Sequence, residues 1–453
     1  MNARILRIEL RRSAARWAAL AVAAVGTALL YLVVNSWGGA WLPLAADQRE
    51  QLYVVWPVAL GAGAWQARRE SRARIGELLA TTPRPRWQRV APTAVALALG
   101  AVAGYLAMFA AGAAQVAPAA SYFPAGSLLV VAVGALTMVG AVWLGMAIGS
   151  LLSTPLTPPA LTVGGFAVLM GVPTVLRSLH PRDPGDLPGA TLLSPVLTPP
   201  LTDFYAVTTR VGLVQLVWFT ALAATAFGLY AAATRRTRLA ALAPSVLGAV
   251  LALAVLPTTA DAAYVPDPGA YAPVCDPGPP RVCVARVHAT ALADLRAPAR
   301  QALAALAAKL PGAPTTVAEA RNWWIEKHLD PQRPDTVLVD LNPDADGRLG
   351  SPRELLWELV DGAGTRACST IFDSAEPDAV ARHHAARLAA AAWLLDQAPP
   401  ADAYHAAQAR QAWETLRTLP ADEQLSRVAA LRASALACDG RDLLDVLVGT
   451  GSR

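Results

Sequence analysis

The chain reads as mainly α, a polytopic membrane helix bundle of about seven spans followed by a helical α+β extracytoplasmic domain with disulfides. Three observations lead there. First, of 453 residues 55% are hydrophobic and only 16% charged, with mean hydropathy +0.38, whereas an ordinary soluble domain carries about 25% charge. That excludes a wholly soluble globule and a disordered chain. Second, residues 1–258 hold nineteen Arg, no Lys and eight acids, while 259–453 hold nineteen basic residues against twenty-five acids, so a net +5 hides halves of +11 and −6. Third, all four cysteines fall in the second half. The basic pI of 9.2 therefore reflects membrane topology, and no nucleic-acid partner is expected. Arg outnumbers Lys 36 to 2, so Arg in place of Lys at one site means little.

Residues 1–16 form an amphipathic, Arg-rich cytoplasmic helix leading into the first span. A bilayer core of about 30 Å needs about 20 apolar residues per helix, and seven runs within the transmembrane domain 17–258 qualify: 17–37, 51–65, 90–112, 127–152, 160–176, 211–234 and 239–257. The second is the weakest, being short enough for either a span or a re-entrant segment. Positive charge near span ends stays in the cytoplasm. With seven spans, the clusters Arg4 to Arg16, Arg68 to Arg89 and Arg235 to Arg238 share one side and hold fifteen of the nineteen Arg. Without the second span the first two clusters would face opposite sides. The reading is thus a multi-pass cell-membrane protein, N-terminus cytoplasmic and residues 259–453 outside.

Cys275, Cys283, Cys368 and Cys438 support that orientation, because disulfides persist in oxidising surroundings. Of the three pairings four cysteines allow, Cys275 with Cys283 across a Pro/Gly loop and Cys368 with Cys438 is preferred. Buried free thiols are the alternative; a zinc site is disfavoured because no C-x-x-C pair occurs. The first apolar run is long and followed by others, which favours an anchored helix over a signal peptide. A second signal-like stretch, 235–263, ends in Ala260-Asp261-Ala262. Processing there would release the outer domain; a last span with a flexible exit is the plainer reading.

The most informative stretch is the cytoplasmic loop 66–89, with the core RRESRARIGELLATTPRPR. Ile75, Leu78 and Leu79 recur at i, i+3 and i+4, predicting a short amphipathic helix that Pro83 ends. A basic helix lying on anionic headgroups is the bland alternative. Glu70, Arg72, Arg74, Gly76, Glu77, Leu78, Leu79, Thr82, Pro83 and Arg86 stand in a pattern that resembles the first cytoplasmic loop of ABC-2 type transporter permease subunits, here of the actinobacterial type with an added C-terminal extracytoplasmic domain. The resemblance covers roughly residues 1–234. It implies an ABC-2 permease-like bundle in which Arg68, Arg69, Glu70, Arg72, Arg74, Gly76, Glu77, Leu78, Leu79, Pro83 and Arg86 dock on a cytoplasmic ABC ATPase subunit. It further implies export of an unidentified substrate, a second permease subunit in a homo- or heterodimer, and an outer, partly re-entrant segment between spans five and six (177–210). No cofactor is expected on this chain, ATP and Mg belonging to the partner ATPase, and no enzymatic activity. The chain departs from the family's usual six spans by a seventh and by its large tail. The alternative is a polytopic anchor or sensor whose outer domain binds a partner without transport.

No Asp, Glu, Lys, Arg or His lies within the seven spans as delimited, which argues against proton coupling, since carriers use costly intramembrane ionisable groups. Nor can the chain supply its own energy: neither Lys309 nor Lys327 follows Gly, so no P-loop exists. Gly145-Met-Ala-Ile-Gly149 has the GxxxG spacing that allows close helix contact, here expected to pack the subunit itself.

Residues 259–280 read as a Pro/Ala/Asp-rich linker before the extracytoplasmic domain 281–453. Strands are expected at 281–288, 336–341 and 369–372, and helices at 294–310, 316–329, 352–361, 377–395, 403–416 and 423–437. Ser351-Pro352-Arg353-Glu354 combines an N-cap, proline at N1 and a capping-box glutamate. No H-E-x-x-H or G-x-S-x-G occurs, and His383, His384 and His405 would make a metal cluster only if their helices faced one another. Asn342, Asp344 and Asp346, followed by Gly347, imitate the start of a calcium loop, but position twelve is Arg353 where a bidentate Glu belongs. An acidic turn is preferred.

Overall fold

A computed structural model describes residues 3–72, 85–179, 188–200, 202–323, 328–329, 331–368 and 377–449. It divides into two compact units, Met1–Asp267 and Pro268–Arg453.

The first unit is built from α1 (Ala3–Arg12), α2 (Ala15–Leu32), α3 (Trp41–Glu50), α4 (Leu52–Arg72), α5 (Arg86–Ala119), α6 (Gly126–Leu151), α7 (Thr157–Leu179), α8 (Thr209–Ala231), α9 (Arg235–Ala240) and α10 (Ala243–Val255). Six stretches among the described residues are long and apolar enough to cross a membrane: Ala15–Leu32, Arg86–Ala119, Gly126–Leu151, Thr157–Ser178, Thr209–Ala231 and Arg235–Val255. The last comprises α9, a turn and α10. Thr157–Ser178 and Arg235–Val255 are each only 11% buried and turn side chains such as Val163, Val168, Val246 and Leu247 outward, as lipid-facing helices do.

Two stretches depart from expectation near the first turn of the chain. The first span stops at Leu32, five residues early, because Val34–Ser36 tightens into a 3-10 turn and Trp37 folds back to donate Nε1 to the Leu30 carbonyl at 2.9 Å. The run 51–65 is not a self-contained span: it is the first part of α4, whose last turns carry Arg68, Arg69, Glu70 and Arg72. α3 precedes it with a single-residue break at Gln51.

Tight helix contact explains the GxxxG spacing. A Cβ on Gly145 would strike the Leu60 carbonyl oxygen, and one on Gly149 would lie 2.6 Å from Ala64 Cα. The two glycines seat α6 against α4 within the chain, as expected. After α10 the chain does not leave as a free linker. β2 (Tyr264–Pro266) pairs antiparallel with β1 (Tyr205–Val207), Val207 opposite Tyr264.

In the second unit, β3 (Pro273–Cys275), β4 (Arg281–Ala285), β5 (Thr316–Glu319) and β8 (Thr336–Val339) form one sheet in the order β3-β4-β5-β8, with β3 antiparallel and the others parallel. A two-residue pair, β6 (Asn322–Trp323) with β7 (His328–Leu329), stands apart. α11 (Leu292–Lys309) connects β4 to β5, and α12 (Pro352–Val360), α13 (Pro377–Leu395), α14 (Ala406–Arg417), α15 (Ala421–Ala437) and α16 (Leu443–Val448) follow. Val282, Val317 and Val337 bury against Leu295, Leu303 and Leu306 of α11 in one continuous core.

The helix expected at 316–329 is overturned. Thr316, Val317 and Ala318 pair on both sides, with β4 and β8, so the segment is a central parallel strand, where β-branched residues pack well. The linker expectation for 259–280 is corrected in part too, since β2 and β3 lie within it. The strand expected at 369–372 lies outside the described residues. The cap at Ser351 is as expected, its hydroxyl accepting from Glu354 N while Glu354 Oε2 accepts from Ser351 N.

Candidate functional site

The described residues of the expected coupling loop sit where one end of the helix bundle is tied together. Gln66, 5% exposed on α4, accepts from the Ala14 amide at 3.0 Å, at the break between α1 and α2. Its Nε2 donates at 3.0 Å to Glu70 Oε1, one turn on. Glu70 Oε2 accepts the Tyr230 hydroxyl at 2.7 Å. Glu70 therefore joins α4, the α1/α2 junction through Gln66, and the last turn of α8, with both carboxylate oxygens engaged.

The arginines around it have distinct places. Arg69 donates to the Arg12 carbonyl at 3.1 Å, holding the end of α1. Arg86, in the first turn of α5, donates to the Ala232 carbonyl at 3.0 Å, just beyond α8. Arg68 lies 5.9 Å over the Trp65 ring, and Arg72 is exposed in the last turn of α4. Thr93 Oγ1 donates to Glu9 at 3.3 Å, fixing α1 to α5. Arg74, Gly76, Glu77, Leu78, Leu79, Thr82 and Pro83, and with them the expected amphipathic helix, lie outside the described residues. What the structure does place is the frame from which 73–84 departs and to which it returns: α4 ends at Arg72 and α5 begins at Arg86.

The cysteines are joined as expected, Cys275 to Cys283 and Cys368 to Cys438. The first bond links directly opposed residues of β3 and β4. The weak calcium candidate is a closed turn: Asp344 Oδ1 accepts from the amides of Asp346 and Arg348, both at 2.9 Å. Arg348 Nε donates to Asp294 Oδ2 at 2.8 Å, which holds the Asp294 carboxyl below its ordinary range. Among the described residues no group of three His, Cys, Asp or Glu side chains could hold a metal ion. His383 points into the unit at 5% exposure, while the His384 and His405 rings stack at 6.3 Å.

Sequence reasoning missed two polar clusters. One is α3, whose Asp47, Gln48 and Arg49 are 2%, 0% and 1% exposed although they fall between the apolar runs 17–37 and 51–65. The other is His288 with Glu319, Nδ1 to Oε1 at 2.5 Å, where Glu319 Oε2 also accepts from Ala285 N at 2.6 Å. Neither lies in a recognisable motif, and the only signal for the first was a Leu/Ala-rich run too short to span. Comparison with family models, characterised proteins and solved structures finds no match for the chain.

Proposed function

We propose that the chain is the membrane permease subunit of an ABC-2 type exporter, moving a substrate across the cell membrane with energy from a separate cytoplasmic ATPase. The observation that carries this reading is the loop 66–89: its residues follow the ABC-2 pattern, and its Glu70 joins three helix segments at one end of the bundle through Gln66 and Tyr230. ATP-driven closure of the ATPase would move segment 73–84, and the hydrogen-bonded frame would pass that displacement to the spans. The subunit works with a second permease copy or homologue. On this reading α4 is the second of seven spans, the N-terminus is cytoplasmic, and the disulfide-bonded second unit is extracytoplasmic.

The test is co-purification with ATPases encoded beside the gene, paired with charge reversal at Arg68, Arg69, Arg72 and Glu77. The exporter reading expects a stable complex that charge reversal dissolves. No association, together with wild-type function of the reversed variant, would sink it. A second reading, a membrane anchor whose outer unit binds a partner, draws on the separate core of Pro268–Arg453. It expects partner capture by the outer unit with no ATPase bound.

A further inference from the structure

Residues 188–200 run between α7 and α8 with only a 3-10 turn, Gly189–Leu193, yet Leu192, Val196 and Leu197 are 4%, 7% and 3% exposed. Non-helical backbone inside a helix bundle needs partners for its carbonyls. Here side chains supply them. Gln215 Nε2 donates to Leu192 O at 2.8 Å, Trp218 Nε1 to Leu193 O at 2.9 Å, and the Tyr264 hydroxyl to Thr198 O. Arg49 provides the centre, its Nε and Nη2 both donating to Pro195 O at 3.2 and 3.0 Å and its Nη1 to Gln215 Oε1 at 2.9 Å. The segment is held in place by rotatable side chains.

Arg49 is poorly matched to this duty. It is 1% exposed and its three hydrogen bonds all end on neutral oxygens, although a buried charge is costly unless paired. The Nε–Nη2 edge of a guanidinium fits the two oxygens of a carboxylate or phosphate, and here it grips one carbonyl oxygen. Asp47 stands two residues away on α3, and the hydrogen bonds of Arg49 go to Pro195 and Gln215, not to it. Tyr105 is fully buried, and its hydroxyl has no hydrogen-bond partner among the described residues. Gln48, next to Arg49, donates to the Tyr105 carbonyl at 2.7 Å, so a buried cation and an idle hydroxyl stand on segments held together.

We infer that Arg49, with Tyr105, is the receptor for the carboxylate or phosphate group of an acidic amphiphile, and that the Pro195 carbonyl and Gln215 amide occupy its place while segment 188–200 is held. Binding transfers the Nε–Nη2 edge from Pro195 O to the anion, and the segment, having lost its central contact, is freed. Identifying that amphiphile as cargo rests on the exporter reading; the receptor and latch do not.

All four native cysteines are in disulfides, so Val196→Cys gives the full chain a single thiol for an impermeant maleimide. In nanodiscs of phosphatidylcholine, V196C is expected to be protected. Added oleate should speed labelling at least fivefold, whereas monoolein, its uncharged counterpart, should not. Phosphatidylglycerol in the nanodisc with no additive tests a lipid headgroup as the source: acceleration there assigns the anion to the bilayer, and acceleration by oleate alone assigns it to a free amphiphile, either result supporting the receptor. V196C combined with Arg49→Gln should label fast without any amphiphile and ignore oleate, and with Tyr105→Phe should need more oleate. Equal acceleration by monoolein, or no acceleration by either anion, overturns the proposal. These wild-type-background arms decide even if the Arg49 variant misfolds. They need no ATPase, so failure of the exporter reading leaves them intact.

Discussion

Tyr230 and Glu70 are 160 positions apart in the chain, and the phenol of one donates to the carboxylate of the other at 2.7 Å. The bond closes the polar frame at the end of the bundle from which segment 73–84 departs. Tyr230→Phe removes the donor and keeps the ring. Leaving a buried acceptor without its donor costs about 1–3 kcal/mol, and thermal unfolding of the full chain in detergent should register a loss of that order. Glu70→Gln should cost a similar amount, and the double variant should fall short of the sum, because both single changes break one bond. Strict additivity would remove Glu70 from its place as the junction.

The α4–α6 contact predicts opposite outcomes for two glycines on one helix. Gly149→Ala puts a methyl 2.6 Å from Ala64 Cα, whereas a methyl at Gly140 meets nothing within 4 Å. Overpacking against backbone costs about 1–3 kcal/mol, while Ala at an open helical site gains roughly 0.5–1 kcal/mol over Gly. Melting curves of the two variants should therefore move in opposite directions.

The two disulfides differ in the length of chain they close, 70 residues for Cys368–Cys438 and 8 for Cys275–Cys283. Loop-closure entropy assigns about 4 kcal/mol to the longer and about 2.5 kcal/mol to the shorter. Paired Ser replacements, followed by limited proteolysis of the second unit, should show the larger loss of protection for Cys368 and Cys438. Equal losses would mean that native packing outweighs chain entropy here.

His383 is pushed down to about 4 by burial, then by Arg387 and His384, with Asp442 opposing. Its folded value lies below the ordinary 6.5, so between the two the unfolded chain binds a proton the folded chain refuses. The stability contribution is whole above pH 6.5 and is lost progressively as pH falls to about 4. His383→Gln should flatten the drop in melting temperature between pH 7 and pH 4.5. An unchanged slope would assign acid sensitivity to other groups.

Helices with one strong signal were legible in the sequence. The apolar runs placed five of the six candidate membrane helices to within five residues at each end, and Ser351, Pro352 and Glu354 placed the start of α12, because caps are local chemistry. Segment 316–329 was not legible: Thr316 to Glu319 becomes a strand only because β4 and β8 flank it, and that pairing is a tertiary fact. α3 was missed for a similar reason. Trp41–Glu50 is too short to span and ends in Asp47, Gln48, Arg49 and Glu50, so its burial depends on the neighbours α5 and α6. Three of the eleven residues expected in the coupling loop, Arg69, Glu70 and Arg86, hold neighbouring helix segments, a role their charge alone does not reveal.

The pairing of β2 with β1 bears on mechanical load. Just past Ala260-Asp261-Ala262 the chain is anchored: Ala263 is fully buried and its carbonyl accepts from Thr208 N at 2.9 Å. Tyr264, Val265 and Pro266 are then laddered to residues next to α8. A tug on the chain beyond Asp267 consequently arrives first at that three-residue ladder, and reaches α10 only after the ladder has parted.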